Sequence, residues 1–321
     1  MIVFYPTTFC GIIYLMKEYR LNLILYLISL IIMGSNGIVA SFINLSSIEI
    51  VFLRTIIGSL LLILVCILHK EKFLCLRDLR NATFLIFSGF ALAGGWIFLF
   101  EAYKIIGVSI STLLYYLGPI IAMLLSPIFF KERLSFAQIL GAIVVFVGIV
   151  FLNNDIAADS AKLHGIFFGF MAGILYAVMV ILNKKVKNAS GIENTTCQLV
   201  ASFVLVFIFL MFTTGIHIKI EGSQWIPVLW IGLLNTGLSC FFYYSTITKL
   251  PMSTVAILSY LDPVSAVVLS ALILKESLTP MQIIGVVLVI SGAAFSQLYP
   301  IFSTIKLSKN KNKGTSKKEH F

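Results

Sequence analysis

The chain has 321 residues, 60% of them hydrophobic and 11% charged, with a mean hydropathy of +1.05 and a formal net charge of +10. A soluble domain of that composition would need a mostly apolar surface, which excludes a soluble globular protein. The positive charge does not point to nucleic acid, because it sits between apolar runs and in a C-terminal tail.

Residues 1–20 read as an N-terminal cytoplasmic segment. Its opening, MIVFYPTTFCGIIYLM, is apolar but short, contains Pro6 and lacks the basic lead of a signal peptide. MKEYR, from Met16, is a typical cytoplasmic lead-in, so Met1 and Met16 both stand as candidate starts. Apolar runs then recur, each of a length that crosses ~30 Å of hydrocarbon as a helix. They lie at approximately 23–43, 49–68, 82–102, 109–130, 135–152, 163–182, 194–215, 225–246, 252–274 and 280–299. Ten transmembrane helices are expected, hence an all-α polytopic membrane protein.

Of the 23 Lys and Arg, only Arg54 falls well inside a run. Alternate connecting segments are basic: Lys70, Lys72, Arg77 and Arg80, then Lys131 and Arg133, then Lys184, Lys185 and Lys187. The opposite segments carry only Lys104, Lys162, Lys219 and Lys275. The positive-inside rule therefore places both termini in the cytoplasm, for a chain in the cell's inner (plasma) membrane. Residues 301–321, with six lysines from Lys306 to Lys318, read as a solvated tail near anionic headgroups.

The chain is written twice. YYLGPIIAMLLSPIFFKERLSFAQILG, starting at Tyr115, recurs as SYLDPVSAVVLSALILKESLTPMQIIG, starting at Ser259, at a constant offset of 144. The same offset pairs Tyr116 with Tyr260, Pro119 with Pro263, Glu132 with Glu276, Gly141 with Gly285 and Gly148 with Gly292. It also holds upstream, for Glu49 with Glu193 and Phe98 with Phe242. Each repeat holds five spans, 21–155 and 162–300. Five is odd, so the second repeat enters the membrane from the opposite side. Two inverted five-helix repeats are the architecture of secondary transporters, where exchange of shape between the halves provides alternating access.

On these features, namely the doubled five-span repeat, LGPIIAMLLSPIFFKERLS, YLDPVSAVVLSALILKESLT and the paired glycines, the chain resembles the drug/metabolite transporter superfamily, of the ten-span EamA type. The resemblance covers about residues 20 to 300. It implies a basket of helices with a central substrate cavity between the halves, and coupling to protons or to exchange. The small multidrug exporter branch typically uses an acidic residue in its first span; here that span offers Ser35 and Asn36 and no carboxylate.

Pro119 and Pro263 each remove a backbone donor and clash with the carbonyl four residues back, at Tyr115 and Ser259. Such broken turns either line or gate a substrate site or are packing kinks. Asp262 lies deep in the ninth span, where its repeat mate is Gly118. An intramembrane carboxylate is a candidate proton carrier or partner for a substrate cation, and a structural pair is the alternative. Glu101 is a second coupling candidate. Arg54 and Glu49, five residues apart, read as a structural ion pair or a snorkelling arginine, with anion or carboxylate binding the other option. Asn36, Trp96, Tyr115, Tyr116, Tyr176, Asn235, Tyr244 and Tyr260 suit the lining of a mostly apolar cavity.

Lys131–Glu132 and Lys275–Glu276 read as structural, hydrated elbows of helical hairpins. Ser135 with Gln138, and Thr279 with Gln282, would cap the helices that follow. Gly141 and Gly285 suit close helix packing. The five cysteines show no metal-ligand spacing, so no metal or cofactor is expected. The sequence contains no nucleotide motif and no catalytic constellation, so an enzyme is not expected. The expected activity is secondary transport of a small metabolite, amino-acid-like or related, by an exporter or exchanger with proton coupling an option. A receptor or channel-like protein is the alternative. The expected partners are a small-molecule substrate, the lipid bilayer and a second copy of the chain as a candidate homodimer.

Overall fold

Inside hydrocarbon a backbone must satisfy its own polar groups, so a chain with this many apolar runs is driven to helices. A computed structural model describes residues 9–71, 73, 77–152, 160–187, 190–213, 215, 218–246, 249–250, 258–296 and 299, with the side chains of 9–17, 160–161 and 244 outside that description. Among the described residues there is no strand. Among these residues ten apolar helices follow one another: α1 (Glu18–Ser41), α2 (Ser47–Leu68), α3 (Leu79–Ile106), α4 (Val108–Phe130), α5 (Phe136–Leu152), α6 (Lys162–Lys185), α7 (Gly191–Phe212), α8 (Gly222–Tyr243), α9 (Leu261–Leu274) and α10 (Pro280–Ser296). Seven are long and apolar enough to cross a membrane, and α5, α9 and α10 are shorter apolar helices. Large apolar side chains such as Phe146, Phe212 and Leu272 stand exposed on the outer face, as a lipid-facing surface requires. This is an all-α, multi-pass membrane protein.

The duplication is visible in the local geometry. α2 starts from a capping box in which Ser46 and Glu49 satisfy each other's backbone N–H groups, and α7 repeats it with Ser190 and Glu193. Glu49 is thus committed to Ser46, and the ion pair with Arg54 that the spacing suggested is not formed. α5 is capped by Ser135 with Gln138, and α10 by Thr279 with Gln282. α4 and α9 both end on a lysine in the left-handed region, Lys131 at φ 57° and Lys275 at φ 56°. Every one of these pairs keeps the offset of 144.

Contacts across the repeats agree with opposite insertion. Lys184 meets Glu132 at 2.6 Å, and Asn81 Nδ2 donates to the Lys187 carbonyl at 3.0 Å, at one end of the bundle. At the other end the Asn44 N–H donates to Gln224 Oε1 at 3.1 Å. α3 packs along α6 and α7, α2 along α7 and α8, and α1 against α9. The repeats are interleaved rather than side by side.

α5 and α10 form a seam of their own. A Cβ on Gly141 would lie 2.7 Å from the Gly292 carbonyl oxygen, and one on Gly148 would lie 2.9 Å from that of Gly285. The reciprocal approaches are 2.9 Å and 2.8 Å. Each glycine therefore receives the backbone of its partner's repeat mate, an antiparallel crossing with local two-fold symmetry. Gly148→Val should force this seam apart and lower stability by about 1–3 kcal/mol, the usual scale of overpacking. Gly222→Ala is the control, since nothing lies within 4 Å of its added Cβ. Thermal unfolding in detergent measures both; equal midpoints would refute a tight α5–α10 crossing.

Candidate functional site

Three helices break inside the bundle, each at a residue of nearly the same conformation. Ser35 in α1 has φ −75° and ψ −5°, Tyr116 in α4 has φ −71° and ψ 0°, and Tyr260 before α9 has φ −74° and ψ −8°. Pro119 and Pro263 occupy the third position after the last two breaks. In a first turn the missing N–H costs little, while the ring prevents the preceding helix from running through. Tyr116 and Tyr260 are repeat mates, but Ser35 has no broken counterpart, because its mate Met179 sits in the continuous helix α6. α8 departs differently: Trp230–Leu238 is π-helical, and Thr236 Oγ1 bonds the Ile231 carbonyl at 2.7 Å.

The breaks converge. A Cβ on Gly34 would strike the Asp262 carbonyl oxygen at 2.7 Å, so the broken part of α1 lies directly on that of α9. Asn235 Nδ2, from the π-helical stretch, donates to the Ile32 carbonyl, which also accepts from the Ser35 N–H at 3.1 Å and hydroxyl at 2.7 Å, and to Ser35 Oγ at 2.9 Å. The Tyr116 hydroxyl donates to Asp262 Oδ2, joining the α4 break to the α9 break across the repeats. The Tyr115 ring stacks on Tyr176 with centroids 4.6 Å apart, and Tyr116 meets both rings edge-on.

Gly118, the mate of Asp262, is where the Tyr176 ring packs: an added Cβ would lie 2.6 Å from the Tyr176 Cβ. One repeat therefore receives an aromatic ring at the position where the other presents a carboxylate.

Around this junction is a cavity of about 190 Å³. Asn36, Trp96, Tyr115, Tyr116, Tyr176, Asn235 and Asp262, all singled out in the sequence, line it. Every helix contributes except α5 and α10, which form the separate seam. Pro119, Tyr260 and Pro263 line a second cavity of about 180 Å³, which shares Tyr116 and Tyr176 with the first. The Tyr244 side chain lies outside the described residues. Glu101 is not brought to either cavity: it pairs with Lys104 at 3.4 Å on the exposed side of α3.

Residues that the sequence reading passed over complete the lining. Gln198, a span amide bonded to Ser88, is one, and Thr112, Thr195, Thr236 and Cys240 are others. Arg54, read mainly as structural, also lies in this wall. Its guanidinium stacks 3.8 Å from the Trp96 ring centroid, and its Nε donates to Thr236 Oγ1 at 3.2 Å. Polar groups within apolar runs were the available signal. Which of them share one cavity depends on how the helices pack.

Tyr103 stands in the wall of the central cavity and of a recess of about 540 Å³ at the Glu276 end, and its hydroxyl lies 3.3 Å from Thr112 Oγ1. Glu276 ties this end together. Its carboxylate accepts from the Val108 N–H at 2.6 Å, the Ser109 N–H at 3.1 Å and the Ser109 hydroxyl at 2.8 Å. It thus caps the N-terminus of α4 from the other repeat, with charge matched to the helix dipole. The two glutamates expected as equivalent hydrated elbows differ: Glu276 is a cross-repeat cap, and Glu132 meets Lys184 in an exposed ion pair. Glu276→Gln should weaken this tie by about 1.5–3 kcal/mol, the scale of a hydrogen bond to a charged group. Amide exchange at Val108 and Ser109 should then quicken roughly tenfold or more. Unchanged protection would remove Glu276 as the closure of this end.

The sequence profile of the EamA-like transporter family matches residues 20–154 and again 163–298. The chain is 26% identical over 284 residues to the uncharacterized transporter YxxF of Bacillus subtilis (strain 168), covering 87% of this chain and 90% of the relative. An uncharacterized transporter of Helicobacter pylori is 27% identical over 240 residues, covering 70% and 78%. One solved crystal structure superposes with a TM-score of 0.63 over 87% of this chain and 96% of its own, at 17% identity, a likeness of fold.

Proposed function

The chain belongs to the EamA-like transporter family, and from that premise we propose that this membrane transporter moves a small solute through the central cavity by alternating access, as an exporter or exchanger coupled through Asp262. The observation that carries the reading is the Tyr116–Asp262 hydrogen bond, which spans the two repeats at the point where both are broken. A pair of inverted halves can exchange conformations at similar energy. A group bonded across their junction responds to that exchange.

Asp262 is the one carboxylate among the described residues that lines the cavity. Arg54 and the hydroxyls of Tyr103, Tyr115, Tyr116 and Tyr176 share that lining with it. As an acceptor from Tyr116, the ionised carboxylate holds α4 to α9. Protonation, or engagement by a cationic group of the solute, competes with that bond and biases the two halves toward the other arrangement. The mechanism needs no further cofactor. The alternation of basic segments supports an inner-membrane orientation with both termini cytoplasmic.

Counterflow of labelled metabolites in liposomes tests the reading. Purified protein should exchange at least one solute pool, and an imposed pH gradient should change the rate. Asp262→Asn should retain counterflow without a gradient but lose its response to one. A response that survives the substitution would remove Asp262 as the coupling group. The absence of counterflow with every pool would count against transport by this route.

A further inference from the structure

Arg54 is the most demanding group in the molecule. It is 3% exposed, on α2, and its charge has no counter-ion: among the described residues no carboxylate lies within ion-pair distance. Glu49, on the same helix, is held by Ser46, Asp262 accepts from Tyr116, and Glu276 caps α4. Thr236 takes only the Nε of the guanidinium. Both Nη nitrogens lack a hydrogen-bond partner among the described residues, and Nη1 is fully buried.

A buried, unpaired guanidinium is unfavourable. Stacking 3.8 Å from Trp96 and 5.4 Å from Phe100 offsets part of the cost and fixes the plane of the group. An aliphatic residue would fill this position at less cost, so the open fork needs a ligand to explain it.

We infer that Arg54 is the receptor for the anionic group of the transported solute, and that this solute carries a carboxylate. The two free Nη groups form a planar fork that fits a carboxylate in two parallel hydrogen bonds. Of the two anions that such a fork takes, carboxylate and phosphate, the carboxylate is the smaller and the less charged, which suits a small cavity in which one arginine is the only cation among the lining residues. A cavity of about 190 Å³ restricts the solute to a small molecule. The cavity also holds acceptors. Asn235 has committed Nδ2 to Ile32 and Ser35, which leaves its buried Oδ1 without a partner, and the Asp262 carboxylate shares the same lining. The complementary solute has a carboxylate for Arg54 and a hydrogen-bond donor for Asn235 or Asp262. This inference rests on the transporter reading only in taking the ligand to be the cargo.

Trp96 supplies a readout independent of transport. In a Trp225→Phe, Trp230→Phe background it is the only tryptophan left, and an anion on Arg54 should perturb its emission. The probes are small α-amino acids, α-hydroxy acids and plain monocarboxylates, each beside its primary amide. At least one acid should shift Trp96 emission and raise the melting temperature, while its amide should bind at least tenfold more weakly. Arg54→Gln should bring acid and amide to equal, weak affinity. Arg54→Lys, which keeps the charge but not the fork, should retain folding and still lose tenfold or more. Which acids respond separates a donor-bearing solute from a plain carboxylate. If no acid in the panel moves Trp96 emission or the melting temperature, the Arg54 proposal is wrong. Counterflow of solutes without a carboxylate, unaffected by Arg54→Lys, would overturn it while leaving the transporter reading intact.

Discussion

A helix interrupted inside hydrocarbon leaves carbonyls that no lipid can satisfy, and the central architecture of this protein follows from where those interruptions were put. The breaks at Ser35, Tyr116 and Tyr260 lie against one another, not against lipid. The α1 break is met by Asn235, delivered by the π-helical turn of α8. The α4 break is tied to α9 by Tyr116 and Asp262. Polar backbone is tolerated at this depth because it lines a cavity. The cavity and the breaks are therefore one feature.

Duplication supplies the framework and departure from it supplies the chemistry. Caps, left-handed lysines and the glycine seam all keep the offset of 144, so the two halves share a scaffold. Several departures lie at the cavity. Gly118 receives the Tyr176 ring where Asp262 presents a carboxylate. α1 breaks where α6 continues, and α8 is π-helical where α3 is not. At the two hairpin ends, Glu276 caps a helix of the other repeat and Glu132 meets a surface lysine.

Within the cavity the charged groups are kept apart. Arg54 and Asp262 line the same space without forming an ion pair, although each is costly to bury alone. A protein selected only for stability would pair them or replace both. Under the transport reading proposed above, their separation is room for a solute that meets a cation at one point and an acceptor at another, and the stacked Tyr115 and Tyr176 supply apolar area between polar contacts.

Much of this was legible from the chain itself. Hydropathy marked ten spans, and the constant offset revealed the repeat and, through an odd span count, its inversion. Pro119 and Pro263 located the broken turns to within a few residues, because a missing N–H and a ring clash are properties of the local chain. Side-chain partnership was not legible. Spacing suggested Glu49 as the partner of Arg54, yet helix capping claimed the glutamate and turned the arginine toward Trp96 and the cavity. Glu101, a coupling candidate at the outer part of its span, pairs with an exposed lysine, because hydropathy reports depth along a helix but not the face a residue occupies. The sequence by itself determined the helices, their number and their duplicated order, since those depend on transfer to lipid and on local backbone chemistry. Only the tertiary structure decided which polar groups meet at one cavity and which are left unpaired there, since that depends on the rotation and crossing of helices far apart in the chain.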